Sequence, residues 1–385
     1  MLYKINACIL TVVGFLVLSG SSAAVPDSCP IVLDLVRIRG TNDGAYGKRD
    51  PAAVVENLEQ HLVRLGINLN IKGQDYLLNI DTGSLITWVA YNDFTCYDKN
   101  MKIQDQDKCH LGPKTFKGTY LSYGPFDQRY GGGEWVSGDL AKETVKLGDK
   151  DVENVSIGYG HDLFWVGDHS TVGIFGMTSD PDEPALWLSL CKQHKLPLQF
   201  TLAVNREEDG DEHGGSIAFG GTLDGELITP DAWTTVDVAE CAVSNWFIEG
   251  FKLSFDRAGT VHTEDVNTMA VVDSGDPRIR LPKKTLAAFL AAWSTAPEWA
   301  EEINSWAVKC NVKGPDALHF EIGGTKFKVP VRDNIMIQDG DDCFFRLLGI
   351  NQNEAIILGL PFMRHVVINH DWEKRKMSFK QRVYT

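Results

Sequence analysis

The sequence predicts a mostly β protein built from two related halves. Short apolar or aromatic runs separated by glycines dominate its 385 residues, which is typical of strands joined by tight turns. Amphipathic helical patterns are few, and the best candidates are residues 185–194 and 285–293. A motif of an acid, a hydroxyl residue and glycine occurs twice, as Asp81-Thr82-Gly83-Ser84 and as Asp273-Ser274-Gly275. The length is sufficient for two domains with large cores.

Each copy of the motif follows an apolar run, residues 76–80 in the first case and residues 269–272 in the second. We therefore expect each acid on a tight turn after a buried strand, where glycine permits the reversal and hydroxyl groups hydrogen-bond across it. If the fold brings the turns face to face, the two carboxyl groups share one proton, because a pair that close cannot ionise twice. Such a pair holds an acid and a base together and is suited to hydrolysis of a peptide bond.

A second pattern supports the duplication. An apolar run that ends in glycine follows each acid, at residues 172–176 and at residues 355–359. Asp81 and the first closing glycine are 95 positions apart, and Asp273 and the second are 86 positions apart. The chain therefore contains the same order of motifs once in each half.

With three further segments, these motifs make the sequence resemble the pepsin and cathepsin D-like aspartic proteases over almost its whole mature length. Trp88 lies seven residues after Asp81, as in that family. The segment Tyr130-Gly131-Gly132-Gly133 resembles the tip of the flap hairpin that closes over substrate. Residues 214–221 are similar to a glycine-flanked hairpin after the first lobe.

The resemblance implies a bilobal pepsin-like fold, with two pseudo-symmetric, β-barrel-like lobes and a cleft between them. The N-terminal lobe, residues 50–206, would carry Asp81 and the flap, and residues 207–385 would carry Asp273. It also implies an aspartic endopeptidase that acts on polypeptides in acid, as a monomer and without a cofactor or a metal.

The resemblance further implies a role for each site residue. One carboxylate of Asp81 and Asp273 would take a proton from water, and the other, protonated, would donate to the scissile carbonyl. The expected supporting and substrate-binding residues are Thr82, Gly83, Ser84, Ser274, Gly275 and Asp276 around the dyad, and Trp88, Tyr130, Gly131 and Gly132 at the flap.

Several positions depart from the family pattern, among them one pair beside the second acid and one residue in the flap. Asp276-Pro277 stands where small hydroxyl residues are usual, so a hydrogen-bond donor is lost and a third acid is gained beside the dyad. Its charge would raise the pKa of the dyad, unless Asp276 turns to Arg278 or Arg280. Glu134 replaces a small residue in the flap, where it is either a solvated charge or a group that favours basic substrate side chains.

Three other functions are compatible with parts of the pattern. A catalytically silent relative could keep the cleft to bind peptides or proteins. A serine protease is suggested by residues 273–277, but the histidine segment that such a site needs is missing. A glycoside hydrolase also uses paired carboxylates, although not on duplicated turns of this kind.

The N-terminus predicts entry into the secretory pathway. Residues 1–24 have the pattern of a signal peptide, and residues 25–49 resemble a prosegment, with a possible processing site at Lys48-Arg49. A slightly basic prosegment over an acidic cleft would be released as carboxylates protonate. We therefore expect a zymogen without a membrane anchor that is secreted or delivered to a lysosome or vacuole.

Cysteine usage and charge agree with that compartment. The pairs Cys96–Cys109 and Cys310–Cys343 resemble disulfides of the pepsin family. Cys8 would leave with the signal peptide, and if Cys29 leaves with the prosegment, Cys191 and Cys241 remain as a third pair or as free thiols. Asn154 begins a glycosylation sequon. No sequence motif supports a metal site, and the net charge of −15 argues against nucleic acid as a partner.

Overall fold

The computed structural model describes residues 30–38, 64–178, 185–206, 213–223, 229, 231–240, 246–257, 259–301, 304–351 and 354–384. The predicted signal peptide lies outside these ranges, as do Lys48 and Arg49 of the predicted processing site.

Strands dominate the described residues, as the sequence predicts. In chain order they are β1 Ile31–Ile38, β2 Arg64–Ile71, β3 Gln74–Asp81, β4 Trp88–Tyr97, β5 Ile103–Gln104, β6 Ser122–Arg129, β7 Trp135–Leu147, β8 Lys150–Phe164, β9 Gly173–Gly176, β10 Gln199–Val204, β11 His213–Phe219, β12 Thr234–Asp237, β13 Phe247–Ile248 and β14 Phe251–Arg257. They continue with β15 Thr260–Val266, β16 Ala270–Val272, β17 Ile279–Pro282, β18 Glu298–Ala300, β19 Ser305–Lys309, β20 Ala317–Ile322, β21 Thr325–Pro330, β22 Met336–Asp339, β23 Asp342–Phe345, β24 Leu347–Ile350, β25 Ile356–Leu358, β26 Val366–Asp371 and β27 Lys376–Gln381.

Helices are short. They are α1 Leu186–Gln193, α2 Lys283–Leu290 and α3 Leu360–Met363, with a 3-10 turn at Gln106–Cys109 and a π-helical turn at Val331–Ile335. The first two lie at the helical patterns predicted from the sequence. None of the helices in the described ranges is both long and apolar enough to cross a bilayer.

The strands form one large sheet and three smaller ones. The large sheet has fourteen strands, in the order β12-β27-β26-β10-β11-β1-β2-β3-β9-β4-β8-β7-β6, with β5 paired to β4. It contains strands from both halves of the chain and therefore joins them. The second half adds the sheets β13-β16-β25-β17-β24, β15-β14-β20-β21 and β18-β19-β23-β22.

The predicted duplication appears as two equivalent sets of strand pairs. In the first half, β9 runs parallel to β3, with Gly176 opposite Asp81, and antiparallel to β4. In the second half, β25 runs parallel to β16, with Leu358 opposite Val272, and antiparallel to β17. Each apolar-Gly strand therefore lies beside the strand that leads into an acidic turn, and this arrangement fixes the position of both acids.

Part of the predicted prosegment is an internal strand. Residues Ile31–Ile38 form β1, which pairs with β11 through residues 31–36 and with β2 through residues 36–38. Leu35 and Ile38 are buried in the core. The prosegment boundary stays a prediction, but removal of residues 25–49 would leave two strand edges unpaired unless another segment replaced β1.

The structure contains both disulfides that the resemblance implies. Cys96 is bonded to Cys109, and Cys310 is bonded to Cys343. Cys191 is buried, whereas Cys241 lies outside the described residues, so their pairing stays a prediction. Asn154 is exposed at the start of β8 and accessible to a glycan.

Candidate active site

The two acidic turns meet, and reciprocal hydrogen bonds join them. The backbone N–H of Thr82 donates to Ser274 Oγ at 3.0 Å, and the backbone N–H of Ser274 donates to Thr82 Oγ1 at 2.9 Å. The same hydroxyl groups donate onward, from Thr82 to Val272 O and from Ser274 to Ile80 O, both at 2.8 Å. Because Thr82 and Ser274 are buried, these four bonds hold the turns in one relative position.

The carboxyl groups of Asp81 and Asp273 lie close together, since the Cβ positions of Gly83 and Gly275 are each within 3.0 Å of the carboxyl group of the opposite turn. Each accepts a bond from a glycine of its own turn, with Gly83 N 2.8 Å from Asp81 Oδ1 and Gly275 N 2.8 Å from Asp273 Oδ1. The structure thus brings together the two acids that the sequence places 192 positions apart.

Both glycines are required by this close approach. A Cβ atom on Gly83 would lie 2.8 Å from Asp273 Oδ2, and one on Gly275 would lie 2.5 Å from Asp81 Cγ. Because each clash would be with the acid of the opposite turn, any side chain at either position would push the two carboxyl groups apart.

Burial raises the pKa of Asp273 well above its usual range, and the charges of Asp81 and Asp276 raise it further. The bond from Gly275 N opposes this shift. Asp273 therefore keeps its proton at pH values where an exposed aspartate would have lost it.

The two turns differ at the position after their common motif. In the first turn, Ser84 Oγ donates to Asp81 Oδ2. In the second, Asp276 is buried and its Oδ2 forms an ion pair with Arg280 Nε at 2.6 Å, while its Oδ1 accepts a bond from Arg278 N at 2.9 Å. Burial raises the pKa of Asp276, and the Arg280 charge opposes that effect. Asp276 thus turns to Arg280 and still raises the pKa of Asp273.

The predicted flap is the hairpin of β6 and β7. Its turn is closed by bonds from Tyr130 N to Glu134 O at 2.9 Å and from Gly133 N to Tyr130 O at 3.0 Å. Trp88 Nε1 donates to the Tyr130 hydroxyl at 2.7 Å. Burial raises the pKa of Tyr130, and the charge of Asp81 adds to the shift, so this side chain lies beside the acid pair.

Trp165 completes an aromatic cluster under the flap that the sequence did not indicate. Its ring packs edge-on against Trp88 and Tyr130, with both centroid distances 5.1 Å. It follows β8 in a segment that carries no recognisable motif, so only the folded chain shows its place.

The tip of the flap faces the wall that carries Arg280. A Cβ on Gly131 would lie 4.0 Å from Arg280 Nη1, whereas one on Gly132 would collide with the Glu134 carboxylate. Glu134 therefore folds back over its own hairpin. Within the described ranges, no three His, Cys, Asp or Glu side chains are placed to hold a metal ion.

Comparison with known proteins agrees with this geometry. The model of the eukaryotic aspartyl protease family matches residues 65–382. A probable aspartic-type endopeptidase of Aspergillus fumigatus is 25% identical over 354 residues, which cover 82% of this chain and 78% of that protein. Secreted aspartic protease 8 of Candida albicans is 26% identical over 329 residues, which cover 83% and 75% respectively.

A solved structure supports the fold. The crystal structure of an aspartic proteinase from Irpex lacteus matches with a TM-score of 0.67 at 17% identity, covering 91% of this chain and 98% of that one. The predicted bilobal, mostly β fold is thereby confirmed.

Proposed function

Since this chain belongs to the eukaryotic aspartyl protease family and is an aspartic endopeptidase, we propose that it cleaves polypeptides with a water activated between Asp81 and Asp273. The observation that carries the proposal is the close approach of these two carboxyl groups, held by hydrogen bonds between the turns. Two acids in this position share a proton and can act as acid and base in the same step.

The raised pKa of Asp273, caused by burial and by the charges of Asp81 and Asp276, supports one assignment of the two roles. Asp273 holds the shared proton and donates it to the oxygen of the scissile carbonyl, while Asp81 takes a proton from the attacking water. The tetrahedral intermediate then collapses as Asp81 passes its proton to the leaving amine and Asp273 takes one back from a hydroxyl group of the intermediate, which restores the shared proton. These reaction steps need no cofactor, because the two carboxyl groups carry out every proton transfer.

The same shift supports activity at acidic pH. The reaction requires the proton on Asp273, and activity falls when that proton is lost as the pH rises. Because the pKa of Asp273 lies well above its usual range, the active range extends to higher pH than an ordinary aspartate would allow.

The flap supports an extended polypeptide as substrate. Tyr130 is held over the cleft by Trp88, and an extended chain that lies under the flap would contact both the hairpin and the dyad. The presence of both acids and of the flap tyrosine favours hydrolysis over a silent peptide-binding protein. The signal-peptide pattern and two disulfides support a place in the secretory pathway.

The dyad is tested by the variants Asp81→Asn and Asp273→Asn, assayed on denatured protein between pH 3 and 7. We expect each to lower kcat by at least about 1,000-fold, because asparagine cannot transfer the proton. Asp149→Asn, at an exposed turn, is the matched control and should keep wild-type activity. Hydrolysis that persists in both dyad variants would exclude the mechanism, and a folded wild-type enzyme without activity would favour the silent alternative.

A further inference from the structure

Arg280 lies in the cleft wall, next to the second acidic turn. It belongs to β17, which pairs with β25 beside the strand that leads to Asp273. The Nε atom forms an ion pair with Asp276 Oδ2 at 2.6 Å, and the exposed fraction of the side chain is 25% for Arg280 against 5% for Asp276. Asp276 thus pairs with the Nε atom of the guanidinium, and a quarter of the Arg280 side chain remains exposed.

The outer edge of the guanidinium is directed at the flap. A Cβ on Gly131 would come within 4.0 Å of Arg280 Nη1, the nearest atom that it would meet. Of the carboxylates in the described residues, Asp276 is the one within 4.0 Å of this side chain. The Glu134 carboxylate folds over Gly132. Glu354 is exposed, and the charge of Arg280 contributes only weakly to lowering its pKa.

We propose, building on the peptidase function above, that Arg280 is a specificity residue that binds an acidic side chain of the substrate. A polypeptide that lies under the flap would separate Gly131 from Arg280, whose Nη1 lies 4.0 Å from the Cβ position of that glycine, and its side chains on that face would then meet the guanidinium. The planar fork of arginine binds a carboxylate through two parallel hydrogen bonds. The salt bridge with Asp276 holds the fork in place, so less side-chain entropy is lost when substrate binds.

Partial burial makes this contact selective. An ion pair in a half-buried cleft is screened less than one on the open surface. A neutral amide of the same shape would still fit but would lose the charge, and a lysine in the substrate would be repelled. We therefore expect selection for Asp or Glu at one position near the cleaved bond, against Gln, Asn and Lys.

The test uses matched peptides on the wild-type enzyme. A peptide library varied at about four positions on each side of the cleaved bond locates the position, and Glu and Gln peptides that differ only there are then compared. We expect kcat/KM to be roughly fivefold higher for the Glu peptide at pH 5.5, and the ratio to approach one near pH 3, where a glutamate with pKa about 4.3 is protonated.

Variants of the ion pair identify Arg280 as the cause. Arg280→Gln alone leaves Asp276 buried without its partner, so the double variant Asp276→Asn with Arg280→Gln is measured beside it. In both variants the ratio of kcat/KM for the Glu peptide to kcat/KM for the Gln peptide should fall to about one. The ratio is taken within one enzyme sample, so incomplete folding cancels. Arg257→Gln, at the exposed end of β14, should keep the wild-type ratio.

The outcomes separate the two proposals. Equal cleavage of Glu and Gln peptides by the wild-type enzyme, or a preference for Lys, would overturn the specificity proposal while the peptidase function stands. A Glu preference that survives in the double variant would assign it to another residue and would also overturn the proposal. Absence of cleavage of any peptide would instead contradict the proposed function itself.

Discussion

At the scale of single residues, the second acidic turn is the unusual part of the site. The first turn has a serine that donates to Asp81, whereas the second has the buried Asp276 paired with Arg280. A third carboxylate close to the dyad stabilises the protonated form of Asp273, because two like charges repel. The presence of Asp276 where the first turn has a serine therefore changes the proton affinity of the pair, and it removes no group that transfers a proton.

The variant Asp276→Thr should lower the pH at which activity is lost. Removal of the negative charge lowers the pKa of Asp273, and the remaining Arg280 charge acts in the same direction. The alkaline limb of the profile of kcat/KM against pH should move down by about half a unit. The double variant Asp276→Asn with Arg280→Gln, which removes both charges, should move it less. An unchanged limb in Asp276→Thr would show that Asp276 does not act on the dyad.

At the scale of elements, parallel strand pairs position the acids, and β1 supports the sheet that carries the first. β9 lies beside β3 and β25 lies beside β16, so each acid leaves a strand that is paired along its length. β1 in turn lies between β11 and β2, and β2 pairs with β3. The strand predicted as part of a prosegment therefore lies two strands away from Asp81.

The variant Leu35→Ala tests the contribution of β1. Leu35 is buried in the core, and truncation of a buried leucine costs about 2–4 kcal/mol of the free energy of unfolding, measured in urea. Val32→Ala in the same strand is the control, because Val32 is 47% exposed and its loss should cost less than about 1 kcal/mol. Equal effects of the two substitutions would mean that β1 is not packed as described.

At the scale of the whole molecule, the two halves of the chain are joined in two ways. The fourteen-stranded sheet contains strands of both halves, and the bonds between Thr82 and Ser274 connect the turns at the bottom of the cleft. The pair of Asp81 and Asp273 is therefore formed by the association of the halves, and its geometry depends on this contact.

The variant Thr82→Val should weaken both the contact and catalysis. Valine has nearly the same shape, but it leaves Ser274 N and Val272 O buried without their partner. We expect a loss of about 1–3 kcal/mol in the free energy of unfolding and a fall of about tenfold in kcat, as the carboxyl groups lose their fixed separation. Thr260→Val, at an exposed position, is the control. Wild-type kcat in Thr82→Val would show that these bonds do not align the dyad.

Much of the fold and site followed from the sequence because local chemistry specified it. The repeated acid-hydroxyl-Gly turn needs glycine where the opposite acid approaches, and the apolar-Gly runs are buried strands. The family resemblance implied the contact between Trp88 and Tyr130. What was not predicted depended on contacts between distant segments, such as Trp165 under the flap.

The sequence by itself determined that the protein has two β-rich halves, each with one acid on a glycine turn, because strand periodicity and turn chemistry are local properties. Only the tertiary structure decided that the Asp276 carboxylate forms an ion pair with Arg280, that this arginine faces Gly131, and that Ile31–Ile38 is an internal strand. These contacts depend on the direction in which each side chain points and on the order of the strands, and both are set by the packing of the whole chain.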